Sequence, residues 1–174
     1  MSKPSPVAKI QANLQELFES KARSGDAYVK FEIVPEFSAL LSMSQVQKSL
    51  IVEAEKITPL PSMPEAVIGI MSSAERVFCV FDLAQMLSLT SSLVYAQKYQ
   101  IILLKSVAPP SFYIGFAIAN FRGVSRIVNQ QIRRLEPQMF PTSMTNFIEG
   151  IVEIDDELIP VLGFEQILSY LTTK

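Results

Sequence analysis

A chain of 174 residues, 49% of them hydrophobic and 18% charged, has material for a sizeable core in one ordinary domain or two small ones. Its 0 histidines exclude a Ser-His-Asp triad and any His-ligated metal, and its single cysteine, Cys79, excludes an internal disulfide or a Cys-rich zinc site. A net charge of −2, 6 scattered glycines and no long apolar run argue against a nucleic-acid partner, a phosphate loop and insertion into a membrane.

The first element in chain order is a helix. Val7, Ile10, Leu14, Leu17 and Phe18 recur at helical spacing, Ser5-Pro6 suits its start and Gly25 its stop. Its apolar stripe either docks on the domain's own core or grips a partner. From residue 26 the texture changes to strands. Residues 28–34 alternate in polarity, and short apolar runs follow at 37–46, 49–57, 67–71, 77–83, 99–107, 112–121, 124–128, 147–154 and 158–162. Turn chemistry separates several of them, at Val34-Pro35-Glu36, Ala108-Pro109-Pro110-Ser111 and Asp155-Asp156. So many short strands predict a mainly β sandwich or barrel.

Sliding the chain on itself by 81 residues sets 62–90 on 143–171 without a gap, and eight of those 29 pairs are identical. About two identities would arise by chance at ordinary composition. The repeated unit is a strand carrying one glycine (Gly69 or Gly150), a tight turn, a second strand and a short helix. Glycine inside a strand marks a bend or a close approach of backbone. Asp82 suits the cap of the first short helix, with Gln85 completing a capping box. Upstream, the same offset sets Phe31 on Phe112, Ile33 on Ile114 and Val46 on Ile127.

The stretch Ile57-Thr-Pro-Leu-Pro-Ser-Met-Pro-Glu-Ala-Val-Ile-Gly-Ile-Met71, followed by Arg76-Val-Phe-Cys-Val-Phe-Asp-Leu83, resembles the CheW-like domain of chemotaxis adaptors. Phe112 to Ile118, Phe147 to Ile151 and Leu158 to Phe164 are similar to that family's later strands in the same order. The resemblance implies two SH3-like five-stranded β-barrel subdomains with short helices. Residues 1–25 are then an N-terminal helical extension. Residues 26–174 form the CheW-like domain, its subdomains at about 26–90 and 91–174 with strands or helices exchanged between them. It further implies a cytoplasmic, non-catalytic adaptor without cofactor or metal. Such an adaptor couples the cytoplasmic domain of a methyl-accepting chemoreceptor-type protein to the regulatory domain of a CheA-type histidine kinase. The N-terminal extension looks more like the phototaxis or type IV pilus motility branch.

The expected partner surface is Ile68, Gly69, Ile70, Ala74, Glu75 and Arg76, oriented by a basic strip containing Arg122 and Arg126, with Arg133 and Arg134 beyond. The chain departs from the family pattern at Ala74-Glu75, which replaces an Arg-Gly turn, and at Cys79, Ala119 and Gly163, which replace a proline and two aspartates. An adaptor for the kinase alone, or for another regulator, is therefore the alternative. Two other classes remain. The arginines suit a small-barrel nucleic-acid module, and Asp155-Asp156-Glu157 suits either a carboxylate site working with Asp82 or simply a hairpin turn.

Overall fold

Apolar residues at every second position form ten strands in a computed structural model, which describes residues 6–8, 10–11, 25–106, 111–136 and 138–172. The strands are β1 (Asp26–Val34), β2 (Phe37–Ser42), β3 (Val46–Glu53), β4 (Val67–Ser73), β5 (Arg76–Asp82), β6 (Lys98–Lys105), β7 (Tyr113–Ile118), β8 (Asn120–Ile127), β9 (Ile148–Ile154) and β10 (Glu157–Leu162). Three helices are described in full: α1 (Leu83–Met86), α2 (Thr142–Thr145) and α3 (Phe164–Thr172). Of the expected N-terminal helix, 6–8 and 10–11 are helical, while Leu14, Leu17 and Phe18 lie outside the described residues.

The expectation of a mainly β fold with two five-stranded units holds. One sheet has the order β8-β1-β2-β10-β9 and the other β3-β6-β7-β5-β4. These sheets cut across the halves 26–90 and 91–174. β1 and β2 pair with the C-terminal strands, and β3 to β7 form the second sheet by themselves. The chain crosses between sheets at two places that the apolar runs conceal. One is the turn at Met43-Ser44-Gln45, where the Ser42 hydroxyl lies 2.8 Å from that of Ser44. The other is Ala119, whose N–H donates to the Glu32 carbonyl at 2.9 Å.

The two sheets repeat one topology, with β3, β6, β7, β5 and β4 matching β8, β1, β2, β10 and β9 in order. The upstream pairings at offset 81 are corrected accordingly. Ile33 lies in β1, whose counterpart is β6, whereas Ile114 lies in β7, and Val46 opens its strand while Ile127 closes its own. The downstream match holds in structural role for the bridges, the strand glycines and the hairpins. After β3 a 3-10 turn (Ala54–Lys56) leads to Thr58, which exchanges two backbone hydrogen bonds with Ile70 of β4, at 2.8 and 2.9 Å. After β8 a 3-10 turn (Asn129–Gln131) leads to Arg133, which does the same with Ile151 of β9, at 2.7 and 2.9 Å.

These bridges explain the strand glycines. A Cβ on Gly69 would stand 2.2 Å from the Thr58 carbonyl oxygen, and one on Gly150 2.5 Å from the Ile132 side chain. The hairpins β4–β5 and β9–β10 also correspond. Ala74 and Glu75 have φ of 50° and 65°, Asp155 and Asp156 of 50° and 63°, the pattern of a two-residue type I′ turn. The structure thus gives Asp155 and Asp156 turn positions. Asp82 caps α1 as expected, accepting from the N–H of Ala84 (3.1 Å) and Gln85 (3.4 Å) and from the Ser91 hydroxyl. The expected capping box is not formed, since Gln85 Oε1 is buried without a partner.

Three apolar clusters hold the fold. A small one lies inside the first sheet (Leu40, Ile127, Val152, Ile159, Val161) and another inside the second (among them Phe78, Val80, Ile101, Leu103). The largest lies between the sheets and joins Val29, Phe31 and Leu41 to Ile102, Phe116 and Ile118, closed by Leu83 and Leu87 at α1 and by Phe164 and Ile167 of α3. Replacing Gly69 by alanine should break the Thr58 bridge and lower unfolding free energy by about 2 kcal/mol or more. Glu75→Gly, which relieves a left-handed residue, should raise it by roughly 0.5–1 kcal/mol. Urea denaturation of both variants checks the pair.

Candidate protein-docking site

The second sheet turns one face to the junction, and that face is wider than the first sheet covers. Along β3 the residues on this side are Ser49 and Ile51, which pair with Ile102 and Gln100 of β6. Across the gap, Phe121 and Val124 of β8 pair with Phe31 and Val29, so they carry the first sheet's junction face out to its edge. The result is a groove of about 530 Å³ between the two edge strands, floored by Ile102 and Ile118 and walled by Ile51, Asn120 and Phe121. Its apolar walls stand in solvent, with Ile51 76% exposed and Phe121 40%. The Gln100 side chain fixes one wall by accepting the Phe121 N–H at 2.7 Å.

A second, shallower trough of about 370 Å³ opens toward the other edge of the same sheet. Ile70, Val77, Cys79, Phe81 and Phe112 line it, with Leu171 of α3 at one end. Its rim is cationic. The Arg76 guanidinium lies 4.3 Å from the centre of the Tyr113 ring and Lys105 Nζ 5.9 Å from it. Cys79 is a half-buried free thiol in this lining.

The residues singled out in the sequence fall into three settings. Ile70 and Arg76 belong to the trough, and Ala74 and Glu75 sit exposed at the hairpin tip beside it. Ile68 instead packs against the second sheet's inner cluster, and Gly69 is buried under the Thr58 bridge. Arg122 and Arg126 lie on β8, the outer strand of the other sheet. Arg122 is paired with Glu32 at 2.5 Å, and Arg126 donates to the Gly25 carbonyl at 3.3 Å. Arg133 is paired with Glu153. The groove residues Ile51 and Phe121 escaped the sequence reading. The available signal was Ile51 itself, an apolar residue between Ser49 and Glu53 on one strand face.

Among the described residues, titratable groups do not converge in either opening. Burial, and then the Asp82 carboxylate, raise the Tyr99 phenol above its usual 10.0. Burial, and then Glu149 and Asp26, do the same for Tyr28. No described helix is long and apolar enough to cross a membrane.

Duplicated β sheets around a shared apolar junction, with openings that suit protein chains, define a docking module. The model of the CheW-like domain matches residues 29–171, and the chain belongs to that family, whose members are non-catalytic scaffolding adaptors of chemotaxis signalling. Among solved structures, the scaffolding protein TtCheW from Thermoanaerobacter tengcongensis is similar in fold at 22% identity, with a TM-score of 0.68 over 80% of this chain and 90% of that one. No curated protein sequence matches the chain.

Exposed groove residues and core residues should respond differently to truncation. Ile51→Ser should change stability by less than about 0.5 kcal/mol and the part-buried Phe121→Ala by about 1–2 kcal/mol, whereas Phe116→Ala, at 1% exposure, should lose about 3–5 kcal/mol. Denaturant midpoints of the three variants decide it.

Proposed function

We propose that the protein is a cytoplasmic adaptor that couples a methyl-accepting chemoreceptor-type cytoplasmic domain to the regulatory domain of a CheA-type histidine kinase. The observation that carries this is the exposed groove at the open side of the junction, in a chain of the CheW-like family. An apolar cleft between edge strands suits the apolar face of a helix, and receptor signalling domains of this type are helix bundles. The groove is therefore assigned to the receptor, with Arg122 and Arg126 on β8 as its orienting cations. The trough with Ile70, Arg76 and the Ala74-Glu75 hairpin is assigned to the kinase side.

On this reading each sheet is an SH3-like barrel, completed by the Thr58–Ile70 or Arg133–Ile151 bridge. The N-terminal extension favours the phototaxis or type IV pilus motility branch. Alanine at 74 cannot make the charge-assisted bonds of the family's arginine, so the kinase side relies on apolar contact and on Arg76.

Co-purification with each partner separately, at low and moderate salt, tests the assignment. The wild type should retain both. Phe121→Asp should weaken the receptor complex at least tenfold and spare the kinase complex, and Ile70→Asp should do the reverse. A wild type that engages neither partner refutes the adaptor reading. One that engages the kinase alone refutes the receptor half.

A further inference from the structure

On the junction face of β6 the alternation runs Gln100, Ile102, Leu104, and the last two enter the core between the sheets. Gln100 is thus a polar residue at a position where the row calls for an apolar one. Its neighbours across the sheet are Ile51 of β3 and Ile118 of β7, both lining the groove. A half-buried carboxamide among apolar side chains costs free energy unless its hydrogen bonds are made. We propose that Gln100 sets the specificity of the groove. Its oxygen holds the Phe121 wall, and its N–H donors select a docked chain that carries an acceptor among its apolar anchors.

The part played by the oxygen is geometric. Gln100 Oε1 accepts the Phe121 N–H at 2.7 Å, so the start of β8 is tied to the second sheet as well as to β1. Just beyond, β8 bulges against Lys30 and Phe31, with Gly123 at a φ of 105°. A bulge re-aims the side chains beside it, and among the described residues no other side-chain hydrogen bond joins β8 to the second sheet. The part played by the donors follows. A backbone N–H requires an acceptor, so the amide is oriented with Oε1 toward Phe121 and Nε2 away from it. Nε2 donates to no described residue and is not buried, so its N–H groups are open to the groove. Water satisfies them while the groove is empty. A docked chain expels that water, and must supply an acceptor or leave a donor unpaired.

The inference rests on the function proposed above for the identity of the occupant, and it narrows that occupant's chemistry. The receptor segment that fits is an amphipathic helix with Glu, Gln, Asp or Asn set between its apolar residues and facing Gln100. A wholly apolar helix leaves the donors unpaired, and one presenting Lys or Arg there sets donor against donor. Both are rejected by the same residue that keeps the wall in place.

Two substitutions in the full-length chain separate the roles. Gln100→Glu keeps an oxygen for Phe121 and loses the donors, whereas Gln100→Leu loses both. Hydrogen exchange reads the first role without a partner. The Phe121 amide should exchange at least tenfold faster in Gln100→Leu and within twofold of wild type in Gln100→Glu. Unchanged exchange in Gln100→Leu overturns the wall-holding role. Affinity for the cytoplasmic helix bundle of a methyl-accepting chemoreceptor reads the second role. It should fall at least tenfold in both variants, while affinity for the kinase regulatory domain stays within twofold. Gln100→Glu binding the bundle as tightly as wild type overturns the selection. So does the absence of coupling between Gln100→Glu and alanine replacement of every Glu, Gln, Asp and Asn on the bundle, taken one at a time in double-mutant cycles. A wild type that binds no bundle refutes the receptor half of the adaptor reading and the selection with it, and the exchange result then judges the wall-holding role alone.

Discussion

The constraint on which the molecule depends is that neither sheet has enough interior to stand by itself. The cluster inside the first sheet comprises Leu40, Ile127, Val152, Ile159 and Val161, less than an independent domain of such size normally requires. Stability must come from the junction, where Phe31 and Phe116, at 0% and 1% exposure, bring the two sheets into one core. Burying each such ring is worth about 2–3 kcal/mol. The central strands are consequently buried on both faces. On β7, Phe116 enters the junction while Ala117 points into the sheet's own interior. A Cβ on Gly115 would already be in tight contact with Ile101 and Phe78 at 3.0 and 3.1 Å. Strand interchange reinforces this arrangement, because the two crossings tie each sheet covalently to the other.

Duplication explains the symmetry, and the places where the copies diverge show what each half is for. Ile70 and Ile151 keep the bridge, Gly69 and Gly150 keep the space for it, and Val77 and Leu158 both remain exposed after the hairpin, at 68% and 42%. The helical ends differ. Asp82 caps the four-residue α1 and binds the loop through Ser91, whereas the equivalent Gly163 precedes the longer α3, whose Phe164 and Ile167 seal the junction. The helices close the β5 and β10 side of the core. The β3 and β8 side is left to edge strands, and there the groove opens.

Much of this was legible in the sequence wherever one residue's surroundings are local. The alternation in β1, the glycine-bearing β4 and β9, the hairpins and the Asp82 cap all follow from neighbours in the chain. The crossings were not, because a strand leaving one apolar interior for another shows little change in polarity: Ile118-Ala119-Asn120-Phe121 reads as one run although it passes between sheets. The repeat was visible only beyond Ser62, since the chain between the bridge partners is longer in the second copy and shifts the upstream register. The arginines read as a strip because their acids are remote. Glu32 lies 90 positions from Arg122, and no local pattern announces that pairing.

That pairing bears on how any partner is recognised. With Arg122 set against Glu32 and Arg76 over Tyr113, two of the cations in or near the openings already have an intramolecular partner. Exposed ion pairs of this kind contribute little to stability, but they lessen the field that a partner would feel at a distance. Charge then orients an approaching chain only after apolar contact has begun. Binding strength must come from a few anchors buried on contact, and the exposed rings and branched side chains at Phe121, Ile51 and Val77 are the groups built to supply them. A helix with apolar residues three and four apart satisfies such a surface.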